Sequence, residues 1–108
     1  MAEFKIATHL PGGQGGKAMK LVQGELLCGG MFGIHDEYGG PELTHIPTGR
    51  SIGRYRYKTH ARRCAKELIE LSLPWSASTL RAWNAARDKA ESEKAIDIIK
   101  RWKQGGER

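Results

Sequence analysis

The sequence predicts an α+β domain: a small antiparallel sheet of three or four N-terminal strands, packed against an amphipathic helix, with a C-terminal helix or helix pair alongside. Three observations carry this prediction. Ten of the 14 glycines fall within the first 40 residues, and each interior glycine costs a helix up to about 1 kcal/mol relative to alanine, so strands and turns fill that part. Two extended runs joined by Pro47-Thr48-Gly49 read as a hairpin, and from Ala61 onward apolar residues recur at helical spacing. A chain of 108 residues holds one modest core, at roughly 100 to 200 residues per domain. A single domain over 1–108 follows, strand-rich over 1–58 and helical over 59–104, with no room for separate cofactor and substrate domains.

Each element has a local cause. Phe4, Ile6 and Thr8 alternate with Lys5, Ala7 and His9, which is the period of a half-buried strand, ending at Leu10-Pro11. Gly12-Gly13-Gln14-Gly15-Gly16 is then a flexible loop. Between Ala18 and Phe32, apolar residues interrupted by Gly24, Gly29 and Gly30 give one or two strands with a bulge. His35 to Pro41 reads as a polar turn. Leu43 to Ile46 and Arg50 to Lys58 form the hairpin, because proline presets the first turn dihedral and glycine supplies the positive φ that closes it. With Thr59 as candidate N-cap, Ala61, Cys64, Ala65, Leu68 and Ile69 line one face of a helix that stops before Leu73-Pro74, since proline disfavours helical geometry in the residue ahead of it. Ser76 or Ser78 caps a further helix carrying Leu80, Trp83, Ala86 and Ala90. A second stripe follows at Ala95, Ile98, Ile99 and Trp102, and at ~100° per residue Trp83 and Trp102 fall ~100° out of phase. Either the helix breaks near Glu91-Ser92-Glu93, with Ser92 as a new cap, or one long helix packs on two surfaces. Gly105-Gly106 ends it.

Several function classes drop out. No stretch approaches the ~20 consecutive apolar residues of a membrane span, and Met1 to Leu10 has no secretory pattern, so a cytoplasmic setting is the expectation. Cys28 and Cys64 are too few for a disulfide framework and are expected as buried thiols. The glycine-rich run Pro11 to Ala18 fails as a phosphate-binding loop. Pro11 replaces the first glycine and Ala18 the hydroxyl that ligates magnesium, so no nucleotide cofactor is expected. His60 and Cys64 share a helix face at i, i+4, but no second ligand pair flanks them, so no metal site is expected. His35, Asp36 and Glu37 offer an imidazole beside carboxylates for acid–base work, but adjacent turn residues rarely converge on one substrate. Together with His45, read as a strand histidine, they leave no catalytic constellation, and the protein is expected not to be an enzyme.

The charge is informative. Of the formal +6, residues 1–49 carry three Lys and Arg against five Asp and Glu, residues 67–108 carry eight against seven, and residues 50–66 carry seven against none. The basicity therefore belongs to one segment, and Arg50, Arg54, Arg56, Lys58, Arg62, Arg63 and Lys66 are its candidate binding residues. If Arg50 to Lys58 is one strand, period two sends Arg50, Ile52, Arg54, Arg56 and Lys58 to one face and Ser51, Gly53, Tyr55 and Tyr57 to the other. The tyrosines then belong to the core. Arg62, Arg63 and Lys66 stand opposite the core stripe of the following helix, and the first two fall in its first turn, where the helix dipole disfavours cations. Such a surface suits a phosphate backbone or an acidic protein surface, because the guanidinium fork binds phosphate and carboxylate alike.

Leu43-Thr44-His45-Ile46-Pro47-Thr48-Gly49-Arg50-Ser51-Ile52-Gly53-Arg54, followed by a basic helix and Leu73-Pro74-Trp75-Ser76, resembles short accessory proteins of phages and prophages. The resemblance carries no catalytic signature. It implies a protein that binds and blocks a host defence complex by protein–protein contact, in the manner of anti-CRISPR proteins. The residues themselves lead first to a small basic binding module that docks on nucleic acid or a nucleoprotein complex through residues 50–66, with such an inhibitor of a host protein complex as the alternative.

Overall fold

A computed structural model describes residues 2–9, 17–37 and 40–103. The glycine loop from Pro11 to Gly16, Tyr38 and Gly39 of the expected polar turn, and the helix stop at Gly105-Gly106 lie outside the described residues. Five strands form one antiparallel meander in the order β1-β2-β3-β4-β5: β1 Ala2–His9, β2 Lys17–Leu27, β3 Phe32–Glu37, β4 Gly40–His45 and β5 Arg50–Arg54. Among the described residues three α-helices follow, α1 Lys58–Ile69, α2 Leu80–Ala86 and α3 Lys89–Lys103. The class is α+β as predicted, with five strands in place of three or four. Among the described residues no helix is long and apolar enough to cross a membrane.

The extra strand comes from the expected turn. His35 and Asp36 lie within β3, and the register runs through them, His35 opposite Glu42 and Asp36 opposite Pro41. A polar stretch becomes strand here because the sheet buries both faces. Phe32, Ile34 and Leu43 point to the helical side, where Ala61, Cys64, Ala65 and Leu68 of α1 meet them together with Tyr55, Trp75 and Trp102. On the opposite side lie Gly33, His35 and Thr44, and β1 curls back across them. The Phe4 ring meets His35 edge-on at 6.0 Å and sits so close over Gly33 that a Cβ there would lie 2.7 Å from it. Phe4 and Ile6 are buried, as their alternation predicts. The curl needs a corner in β2: residues Lys17 to Gly24 pair with β1, whereas Glu25 to Leu27 pair with β3.

The hairpin between β4 and β5 closes as predicted, with Gly49 at φ 71° and its N–H bonded to the His45 carbonyl at 2.8 Å. A bulge between Leu43 and Thr44 shifts the β4–β5 register, and β5 stops at Arg54 rather than reaching Lys58. The helix α1 buries the predicted face, Ala61, Cys64, Ala65 and Leu68. Its N-cap falls two residues before the expected Thr59, at extended Tyr57, which makes no side-chain cap, and the helix begins at Lys58. The C-terminal part is two helices. Thr79, rather than Ser76 or Ser78, caps α2 by accepting the Ala82 N–H at 3.1 Å. The break falls at Arg87-Asp88, where Arg87 turns extended (ψ 143°) and Asp88 accepts the Glu91 N–H at 3.0 Å. Ser92 is therefore a buried residue inside α3, not a cap. The phase offset between Trp83 and Trp102 is that of two separate helices, each turned to its own part of the core.

Candidate functional site

The basic segment does not form one face. Three of its seven cations are matched to carboxylates from the acidic first half of the chain. Arg54 donates to Glu42, its cross-strand partner, at 3.0 Å. Lys58 lies 3.6 Å from Asp36 of β3. Arg62 forks onto Glu25 of β2 with its Nε and Nη2 at 2.8 and 2.7 Å, and this guanidinium holds the Glu25 carboxyl below its ordinary pKa. These pairs stitch β5 and α1 to the sheet, though each is exposed and worth about 0–1 kcal/mol. Arg62 and Arg63 stand in the second turn of α1, since the helix begins at Lys58, so the expected dipole cost falls on Lys58 instead.

Arg50 is separated from the rest. It stands opposite His45 at the far end of β5, ~13 Å of strand from Arg54 at 3.3 Å per residue, and faces a groove lined by Trp75 and Trp83.

The remaining three, Arg56, Arg63 and Lys66, are exposed and make no ion pair among the described residues. Arg63 and Lys66 are three apart on α1 and so neighbours on its outer ridge. Arg56 lies at the corner where β5 gives way to α1, its guanidinium 5.5 Å from the centre of the Tyr57 ring.

Tyr57 overturns the alternation expected for this segment. It is 53% exposed, whereas Tyr55 is buried. The strand ends before Tyr57, and the extended N-cap position turns its ring outward, edge-on to His60 at 5.3 Å. His60 in turn lies 5.7 Å from Trp102. Below this corner Glu67 accepts from Trp102 Nε1 at 2.8 Å and from Arg101, which fixes the end of α3 against α1.

The groups considered for chemistry do not converge. His35 and Asp36 alternate across β3, one buried under Phe4 and one exposed, and His45 stands on the opposite sheet face from His35. Cys64 is buried with its sulfur 3.2 Å from the Tyr55 hydroxyl, and burial pushes the thiol up to about 11, so it stays protonated and unreactive at neutral pH. Cys28, expected to be buried, is exposed in the short 3₁₀ turn between β2 and β3, because that turn carries it off the sheet. Among the described residues no three His, Cys, Asp or Glu side chains are grouped to hold a metal ion.

His45 is a structural histidine with a legible pH signature. Its Nε2 donates to the Trp75 carbonyl at 2.5 Å, leaving Nδ1 to accept from the Thr48 hydroxyl at 2.8 Å. Burial holds its pKa below the ordinary 6.5, partly opposed by the bond to Trp75. As the pH falls through 6.5 the unfolded chain takes up a proton that folded His45 resists. Stability is thus complete above that value and drops below it, by at most about 1.4 kcal/mol per pH unit. Urea midpoints followed from neutral pH down to about pH 5, above the carboxylate range, should fall for the wild type and hold nearly level for His45→Gln. Parallel pH profiles would show that His45 is not the group responsible.

No protein-family model, curated protein sequence or solved structure matches this chain.

Proposed function

We propose that this protein is a non-enzymatic binding module that docks on nucleic acid, free or within a nucleoprotein complex, through the corner between β5 and α1. The observation that carries this is Tyr57, exposed on a basic corner beside Arg56, with Arg63 and Lys66 on the adjoining helix making no ion pair among the described residues. An outward aromatic offers a stacking platform for an unpaired base, and the cations meet its phosphates. Arg54, Lys58 and Arg62 act at second hand by holding the corner to the sheet.

A labelled single-stranded oligonucleotide, titrated across salt concentrations, tests this. Arg56→Glu, Arg63→Glu and Lys66→Glu together should weaken binding and reduce the log–log salt slope by about 2, at ~0.7 per phosphate contact. Tyr57→Ala should cost about 1–3 kcal/mol of stacking while leaving that slope unchanged. A folded triple variant that binds as tightly as wild type overturns the proposal. A partner retained from cells after nuclease treatment, with no oligonucleotide binding, replaces it with the phage-type inhibitor implied by the sequence resemblance.

A further inference from the structure

At the other end of β5, a groove of about 310 Å³ opens between the β4–β5 turn, the end of α1 and the α2–α3 break. Pockets for small ligands begin at about 300 Å³ and combine apolar walls with a few placed polar groups. This groove has both. Leu68, Trp75, Trp83, Ile96 and Ile99 supply most of the wall. Trp75 and Trp83 are 5.0 Å apart with their rings tilted by 54°, and His45 braces both of them. Because His45 is itself locked by Thr48 and the Trp75 carbonyl, the aromatic wall is held in place without a ligand, which lowers the ordering cost of binding.

Two further features distinguish the groove from a packing defect. Arg50 at the start of β5 and Arg87 at the helix break both line it, and neither makes an ion pair among the described residues. Ser92, another lining residue, is only 8% exposed, and its hydroxyl has no hydrogen-bond partner among the described residues. A buried hydroxyl left unsatisfied costs free energy, and two unpaired guanidiniums beside an apolar wall attract an anion whose body is apolar.

We infer that this groove binds a small monocarboxylic acid with an aromatic or branched apolar body, its carboxylate held between Arg50 and Arg87. A carboxylate offers one oxygen to each of the two guanidiniums, and the apolar body displaces water from the tryptophans. The site uses none of the residues assigned to the nucleic-acid corner, so either assignment can fail without the other.

The probe is 4-phenylbutyrate, whose ring does not absorb where tryptophan is excited, with 4-phenylbutanol as its uncharged counterpart. Titration followed by tryptophan fluorescence and by amide chemical shifts should show the acid binding about tenfold more tightly than the alcohol, the advantage of charge-assisted hydrogen bonds. Arg50→Gln and Arg87→Gln should each remove most of that difference and leave the affinity for the alcohol unchanged. Trp83→Ala should weaken both compounds alike. Equal affinity for acid and alcohol, or no shifts at the groove residues up to about 10 mM, where a ligand of this size should register, overturns the assignment. Concentration-dependent dimerisation abolished by Trp83→Ala would overturn it too, in favour of a second copy of this chain as the occupant.

Discussion

Truncating Phe32 to alanine should lower the unfolding free energy by about 3–5 kcal/mol, the range for deleting a buried aromatic ring. Phe32 has no exposed surface. It packs edge-on against Trp75 at 5.1 Å and lies 6.0 Å from the His45 ring, so it is where the sheet, the helices and the aromatic wall meet. The strand backbone around it is held on both sides by β2 and β4, opposite Leu27 and His45, which leaves the site little freedom to collapse into the cavity. Against a total stability of about 5–15 kcal/mol for a domain, this is roughly a third or more of the whole in the lower half of the range. Urea unfolding monitored by circular dichroism gives the loss directly. Tryptophan emission of the folded variant should also shift to the red as Trp75 loosens. A loss under about 1.5 kcal/mol would mean that Trp75 moves in to fill the space.

The second large effect is expected from the addition of one methyl group. In Gly24→Ala the new Cβ would lie 2.0 Å from the Ile34 carbonyl oxygen and 3.1 Å from the His35 Cα. Neither neighbour is a flexible side chain, so the backbone of β2 or β3 must move. Gly24 is the last residue of β2 paired with β1, opposite Ala2, and Glu25 is the first paired with β3, opposite Ile34. Any shift there loosens one ladder or the other. Overpacking at a core position costs about 1–3 kcal/mol and more where backbone must yield, and the expected loss for Gly24→Ala is at or above the top of that range. Because the corner lets β1 curl over the sheet, hydrogen exchange should accelerate first at β1 and at His35, with α1 remaining protected. Uniform acceleration across the chain would show that the hairpin is not a separable unit.

Much of this fold is legible along the chain because its signals are short-range. Phe4 and Ile6 are buried and alternate with exposed Glu3 and Lys5, Pro47-Thr48-Gly49 makes its turn, and the stripe at Ala61, Cys64, Ala65 and Leu68 is buried where helical spacing puts it. The misplacements share a different cause. The stretch around His35 and Asp36 reads as a turn by composition, yet it is strand because β1 folds over it. Tyr57 reads as core by alternation, yet it is exposed because β5 ends at Arg54 and α1 starts at Lys58, which leaves Tyr57 at the extended N-cap.

By itself, then, the sequence determined the α+β class, the buried face of α1, the hairpin turn and the concentration of unbalanced positive charge in residues 50–66. Each depends on residue type and spacing within a few turns or strand steps. Only the tertiary structure decided which of those charges are spent internally, since Glu25 and Arg62 are 37 residues apart and meet through the packing of α1 on the sheet. It likewise decided that Tyr57 faces outward, that Arg50 stands at the far end of β5 from Arg56 and Arg63, and that Ser92 and Arg87 line one groove. Long-range pairing is set by topology, and a local pattern carries no information about which distant carboxylate, ring or hydroxyl will arrive beside it.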